Sequence, residues 1–166
     1  QSKARNKFLT NLALSRKGNT LVLFRFIEHG KELVRMLKEK APDRIVHLVY
    51  GAVAPTEREA IRQEVEAGKD IVVVASYATF ATGISIRRLF HVIFACPLKS
   101  PILLRQAIGR ELRKSVDKDI AILYDLADDL RSGKWVNYAY KHSKLRMIAY
   151  EEDSFDVHQS KVDIKS

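Results

Sequence analysis

IVVVASYATFATGISIRRLFHVIFA, residues 71–95, decides the fold. It opens and closes on short runs rich in β-branched residues, 71–75 and 91–95, in which hydrophobicity is nearly continuous. A strand with one wet face alternates apolar and polar residues, whereas a strand covered on both faces does not, and that second pattern belongs to parallel sheets flanked by helices. Working outward, TLVLF (20–24), RIVHLVY (44–50) and DIAILYDL (119–126) fit the same description. Five buried strands are therefore expected.

Helical patterns separate them. GKELVRMLKEKAP (30–42) places Leu33, Met36 and Leu37 at helical spacing before Pro42 stops the run. In APTEREAIRQEVEAGKD (54–70), Thr56 and Glu59 have the spacing of a capping box, Ile61 and Val65 share a face, and Gly68 suits the C-terminal cap. Alternating strands and helices predict an α/β fold with a doubly wound, mainly parallel sheet, whose ligands sit beyond the carboxyl ends of the strands. The first 18 residues read as a basic amphipathic helix with Phe8, Leu9, Leu12 and Ala13 inward, ended by Gly18. Beyond residue 130 the pattern predicts a helix over 135–144, then short strands around 147–150 and 155–164. We expect one domain over 1–166, with 1–18 and 131–166 packed on it.

A chain of 166 residues with 46% hydrophobic and 30% charged content can bury one core. No apolar run approaches the roughly 20 residues of a membrane-spanning helix, and the N-terminus lacks a secretion signal, so a cytoplasmic protein with no membrane partner is expected. The single Cys96 excludes an internal disulfide and, set in HVIFACPL, reads as a small buried hydrophobe. The five histidines have no metal-ligand spacing and receive no role. A formal net charge of +9 favours an anionic partner, nucleic acid above all.

The chemistry is concentrated in QAIGRELRK, residues 106–114. If a helix starts with Ser100 as cap and Pro101 in its first turn, residues advance by about 100° each. Gln106, Gly109, Arg110 and Arg113 then share a face, opposite Leu104, Ala107, Ile108 and Leu112. Gly109 removes a side chain between the guanidiniums and lets a phosphate come close, at a helix-propensity cost of about 1 kcal/mol. Two arginine forks beside a glutamine suit a phosphate chain; a solvated basic helix face is the other reading of the same residues. Glu111 would point into the apolar face of an unbroken helix, so the helix is expected to loosen near Arg110.

LLRQAIGRELRK resembles motif VI of the superfamily 2 helicases, Q-x-x-G-R-x-x-R. Residues 71–95 resemble their motif V, a strand and a turn ending in Gly-Ile before the next strand. NTLVLFRFIEHGKELVRMLKEK resembles motif IV, and HLVYGAVAPTEREAIRQEVEAGKD carries the family's glycine after a strand and the helix that follows. The ordered match runs from about residue 19 to 129, and Ser85 with DLADDL (125–130) is most similar to the phage recombination and repair helicases of the UvsW kind.

The resemblance implies the RecA-like second motor domain of an ATP-dependent DNA helicase, with RNA left open. It makes Arg113 the arginine finger toward ATP, Arg110 the neighbouring arginine and Gln106 the link to motif V. Gly83 and Gly109 approach the nucleotide. Arg25 and Gly51 approach the nucleic-acid backbone, and the motif V threonine that contacts a strand phosphate aligns to Ser76 or Tyr77 according to register. Many relatives have glycine at Glu111 and aspartate at Ser85.

The chain contains no G-x-x-x-x-G-K-[ST] segment and no D-E-x-x box after a strand. Mg2+ and ATP are therefore expected to be bound mainly by a first, N-terminal motor domain, the fragment alone being inactive and monomeric. The competing reading is a basic module that binds or anneals nucleic acid without motor action. A Rossmann enzyme is disfavoured, because no Gly-rich dinucleotide turn follows a strand. Trp135, Tyr138 and Tyr140 could stack on bases or pack a C-terminal helix on the sheet.

Overall fold

The computed structural model of the chain describes residues 2–82, 85–97, 121–128 and 138–164. Each of the five apolar runs forms a strand: β1 (Thr20–Phe24), β2 (Val46–Val49), β3 (Val72–Ser76), β4 (His91–Phe94) and β5 (Ile122–Asp125). They join in one sheet ordered β2-β3-β1-β4-β5, and every neighbouring pair is parallel. Around it lie α1 (Lys3–Ser15), α2 (Ile27–Lys40), α3 (Pro55–Ala67), α4 (Tyr77–Ala81) and α5 (Tyr138–Glu152). None of the helices among the described residues is long and apolar enough to cross a membrane.

β1, β3 and β4 lack alternation because both faces are covered, whereas β5, at the edge of the sheet, is not the buried strand expected: Ile122 is 43% exposed and its other residues are half-buried. Val22, Phe24, Val72, Val74 and Ile93 pack beneath Leu9 and Ala13 of α1 and Leu33 and Leu37 of α2. Leu21, Leu23, Val73, Ala75, Val92 and Phe94 pack on the other face with Ile61 and Val65 of α3, Phe80 of α4 and Tyr150 of α5. Successive residues of one strand thus feed opposite cores, and the expected doubly wound sheet is the one observed.

Several expectations need correction. α3 starts at Pro55 with Ala54 as its cap and no side-chain cap bond, so Thr56 lies inside the helix. Glu59 is accordingly not half of a capping box: it accepts from Arg62 and Gln63 on its own helix. Gly68 does cap α3, its N–H donating to the Glu64 carbonyl at 2.8 Å. In α1 the buried stripe is Arg5, Asn6, Leu9, Thr10 and Ala13, while Phe8 and Leu12 are only half-buried. Polar residues replace apolar ones there because they have partners: Asn6 Oδ1 lies 2.9 Å from His29 Nε2, and Arg5 donates to Asp128 and to the Ala95 carbonyl.

The C-terminal expectation also fails. Residues 147–150 are not a strand but the middle of α5, and residues 155–164 contain no strand. The helix buries polar and apolar residues together: Ser143, Arg146, Ala149 and Tyr150 are buried, whereas Leu145 and Ile148 are 53% and 52% exposed. Apolar side chains therefore lie on both of its faces. Trp135 and the helix expected from Ser100 lie outside the described residues.

Three tight points set how the helices sit. Gly18 adopts φ +98°, which glycine reaches without strain, and turns the chain into β1. Asn19, fully buried, donates from Nδ2 to the Val65 carbonyl at 2.8 Å and accepts the Ile71 N–H at 3.0 Å, joining the end of α3 to the entry of β3. Gly30 presses its bare α-carbon on the Phe24 ring, where an added Cβ would lie 2.5 Å from a ring carbon. Phe24 is completely buried and has nowhere to swing.

The Gly30→Ala substitution sets a helix-propensity gain of about 1 kcal/mol against overpacking of about 1–3 kcal/mol. We expect a net loss of stability, read as a lower denaturant midpoint at unchanged slope; a rise in the midpoint would contradict the packing.

A second expectation concerns His29. With Nε2–H donating to Asn6 Oδ1, Nδ1 accepts from the Cys96 thiol at 3.5 Å, so the ring is held neutral. Burial first, then the Arg5 guanidinium, lowers its pKa from 6.5 to about 4. The unfolded chain takes up this proton below pH 6.5 and the folded chain only near 4, so stability present above that window is lost as pH falls through it. The loss is on the order of 3 kcal/mol. Unfolding free energies measured across the window should fall less steeply in His29→Gln than in the parent protein.

Candidate functional site

Because the strands run parallel, all their carboxyl ends lie along one edge of the sheet. A cleft of about 680 Å³ opens there, lined by residues that follow β1, β2, β3 and β4. Arg25, Gly51, Ser76 and Tyr77, which the sequence assigns to the nucleic-acid track, all line it. Gln106, Gly109, Arg110, Arg113 and Gly83 lie outside the described residues, as does Glu111. By sequence, residues 98–120 connect the end of β4 to β5.

Arg25 leaves β1 directly after the buried Phe24 and is exposed, its guanidinium carbon 5.3 Å from the centre of the Phe26 ring. Opposite it, the loop after β2 turns with the Val53 N–H donating to the Tyr50 carbonyl at 2.9 Å. Arg58 of α3 holds this loop, donating from Nε to the Val53 carbonyl at 2.8 Å. A Cβ at Gly51 would meet nothing within 4 Å. Packing does not require glycine at this point; its absent side chain widens the cleft.

The strand-to-helix turn after β3 forms the floor. Ser76 caps α4, its Oγ accepting the Thr79 N–H at 3.2 Å and lying 2.7 Å from Thr79 Oγ1. Tyr77 donates its hydroxyl proton to the Cys96 carbonyl at 2.8 Å and stacks at a tilt on Phe94, 5.8 Å between centroids. Burial, with smaller contributions from Cys96 and Asp125, pushes the Tyr77 phenol well above its ordinary pKa, so it stays protonated. Both members of the uncertain register pair thus line the cleft, and both hydroxyls are engaged within the protein.

Sequence reasoning missed Tyr50, Arg58, Thr79 and Thr82 in the cleft wall. Arg58 had a signal: it stands on the first turn of the helix that follows a strand end. The described lining residues include two arginines and five hydroxyl-bearing residues, Tyr50, Ser76, Tyr77, Thr79 and Thr82, but no carboxylate, a donor set that suits a phosphate and does not suit Mg2+. No group of three or more metal-ligating side chains occurs among the described residues.

Beneath the floor lies a buried ion pair. Arg146 of α5, 1% exposed, grips Asp125 at the end of β5 with Nε and Nη2 at 2.6 and 2.8 Å, and the Tyr150 hydroxyl donates to the same carboxylate at 3.0 Å. On the other face of the sheet Arg5 of α1 donates from Nε to both carboxylate oxygens of Asp128, at 2.9 and 3.0 Å. Two aspartates of DLADDL are therefore held by arginines from opposite layers.

Comparison with known proteins bears on this arrangement. The helicase conserved C-terminal domain model matches residues 4–115. The ATP-dependent DNA helicase uvsW of Enterobacteria phage T4 is 36% identical over 165 residues, covering 92% of this chain and 32% of that protein. The chain thus spans about a third of its relative's length. The crystal structure of T4 UvsW aligns with a TM-score of 0.75 over 90% of this chain and 33% of that one, again at 36% identity. The C-terminal domain of the DEAD-box protein Dbp5 aligns with a TM-score of 0.66 over 95% of this chain and 82% of its own, at 17% identity, which is a likeness of fold.

Breaking the pair beneath the cleft has a definite cost. Arg146→Ala leaves the Asp125 carboxylate buried without its fork, a loss of about 3–5 kcal/mol. The double variant Arg146→Leu with Asp125→Leu removes both charges and should recover much of that loss, as measured by chemical unfolding.

Proposed function

The chain belongs to the helicase conserved C-terminal domain family, and on that footing we propose that it is the second motor domain of an ATP-dependent DNA helicase acting in recombination and repair. The observation that carries the reading is the cleft at the carboxyl ends of the strands, free of carboxylates among the described residues, with Arg25, Gly51, Ser76 and Tyr77 on its walls. Arg25 and Arg58 attract a phosphate backbone, and the opening at Gly51 lets that backbone pass close to the main chain. Arg25, Gly51, Ser76 and Tyr77 form this domain's share of the strand track.

Arg113 is the arginine finger and Arg110 its neighbour, both directed at ATP held by a first motor domain. Bound there, Mg2+ and ATP supply the phosphoryl transfer; this chain's part is to offset the charge that spreads over the transferred group. Gln106 links that site to motif V, and Gly83 and Gly109 approach the nucleotide. Opening and closing of the cleft between the two motor domains then moves the strand. Support comes from the order of the motifs and from the uvsW relative, an ATP-dependent DNA helicase of a phage. A host-cytoplasmic, monomeric protein follows from the same reading.

The net charge of +9 also favours a non-catalytic module that holds or anneals nucleic acid. The two readings separate on Arg113. In the complete protein with both motor domains, Arg113→Ala should lower DNA-stimulated ATP hydrolysis by roughly a thousand-fold or more while leaving DNA binding nearly intact. Normal turnover in that variant would end the motor reading and leave the binding module.

A further inference from the structure

Between two lining residues of the cleft, Arg25 and Ile27, the fold leaves the Phe26 ring outside both cores. Phe26 is 59% exposed, and its neighbour Ile27, itself a lining residue, is 43% exposed. An exposed apolar pair of this size stands out beside β1, whose five residues are all buried. The backbone of Phe26 is not loose: its carbonyl accepts the N–H groups of His29 and Gly30 at 3.0 and 3.1 Å, so the first turn of α2 fixes the position from which the ring projects. The Arg25 guanidinium lies 5.3 Å from the ring centre.

A cation beside an aromatic face, at the rim of a cleft lined by arginines and free of carboxylates among the described residues, is the arrangement that single-stranded nucleic acid selects. Its phosphates need the cations, and its unpaired bases need a flat apolar surface. A duplex offers phosphates and base edges but no free base face, because its bases are already stacked. We propose that Phe26 is a base-stacking residue: a single strand whose phosphates lie along Arg25 and Arg58 places one base on the exposed face of the Phe26 ring. This rests on the reading of the cleft as a nucleic-acid track and adds to it a preference for unpaired bases.

The test uses two labelled probes, an oligothymidine and an oligomer of the same phosphodiester length in which every base is missing. Phe26→Ala should weaken binding of the oligothymidine by about ten-fold or more and leave the abasic oligomer unchanged. Phe26→Trp should restore oligothymidine binding, with quenching of the new indole in a Trp135→Phe background. Arg25→Ala should weaken both probes. If Phe26→Ala binds both probes as the parent does, or weakens both equally, stacking is refuted while an effect of Arg25→Ala keeps the track. If Arg25→Ala and Arg58→Ala change neither probe, the track itself is refuted. Unchanged oligothymidine binding with lost ATP hydrolysis in the complete protein would assign the ring to a contact between motor domains and overturn the proposal.

Discussion

Burial of a parallel sheet on both faces is the constraint from which the other features follow. Helices cover Val72 and Val74 on one side and Val73 and Ala75 on the other, so the central strands have no wet face and no reason to alternate. Parallel strands must return through crossovers, and every chain segment leaving a strand therefore emerges at the same edge. Arg25, Gly51 and Ser76 are far apart in sequence and meet because each stands at or just beyond the end of a strand. The cleft is a product of topology before it is a product of any one side chain.

The segment carrying Asp125 and Asp128 is fixed from both layers. Burying a carboxylate with an arginine adds little net stability compared with apolar packing of the same volume. Its effect here is directional: two forks of fixed shape, Arg146 from α5 and Arg5 from α1, set the angle at which the chain leaves β5. This ties the outermost helices to the strand that directly follows the motif VI segment in sequence.

Much of the fold was legible. Residues 20–24 form β1 without a shift of either end, β2, β4 and β5 lie within the expected runs and β3 is displaced by one residue, because short continuous apolar runs have few alternatives. What failed was any inference that equates apolar with inward. α5 buries Arg146 and Ser143 and exposes Leu145 and Ile148, so its periodicity reads as strand or as nothing. α1 buries Arg5, Asn6 and Thr10, whose partners on Asp128, His29 and the Lys7 carbonyl no local pattern reveals. α4 is five residues long, too short for a period to register. Of the site, the strand-end residues were legible from motif order, whereas Arg58 and Phe26 required knowing which surfaces the packing leaves uncovered.

The composition of the cleft wall has a consequence for how the protein responds to its surroundings. Both of its described cations are guanidiniums, and neither an imidazole nor a carboxylate accompanies them. Acidification near neutrality therefore leaves the charge of these described lining residues constant, even as protonation of a histidine elsewhere erodes the fold. The attraction it exerts on a polyanion is tuned by dissolved ions and scarcely by protons.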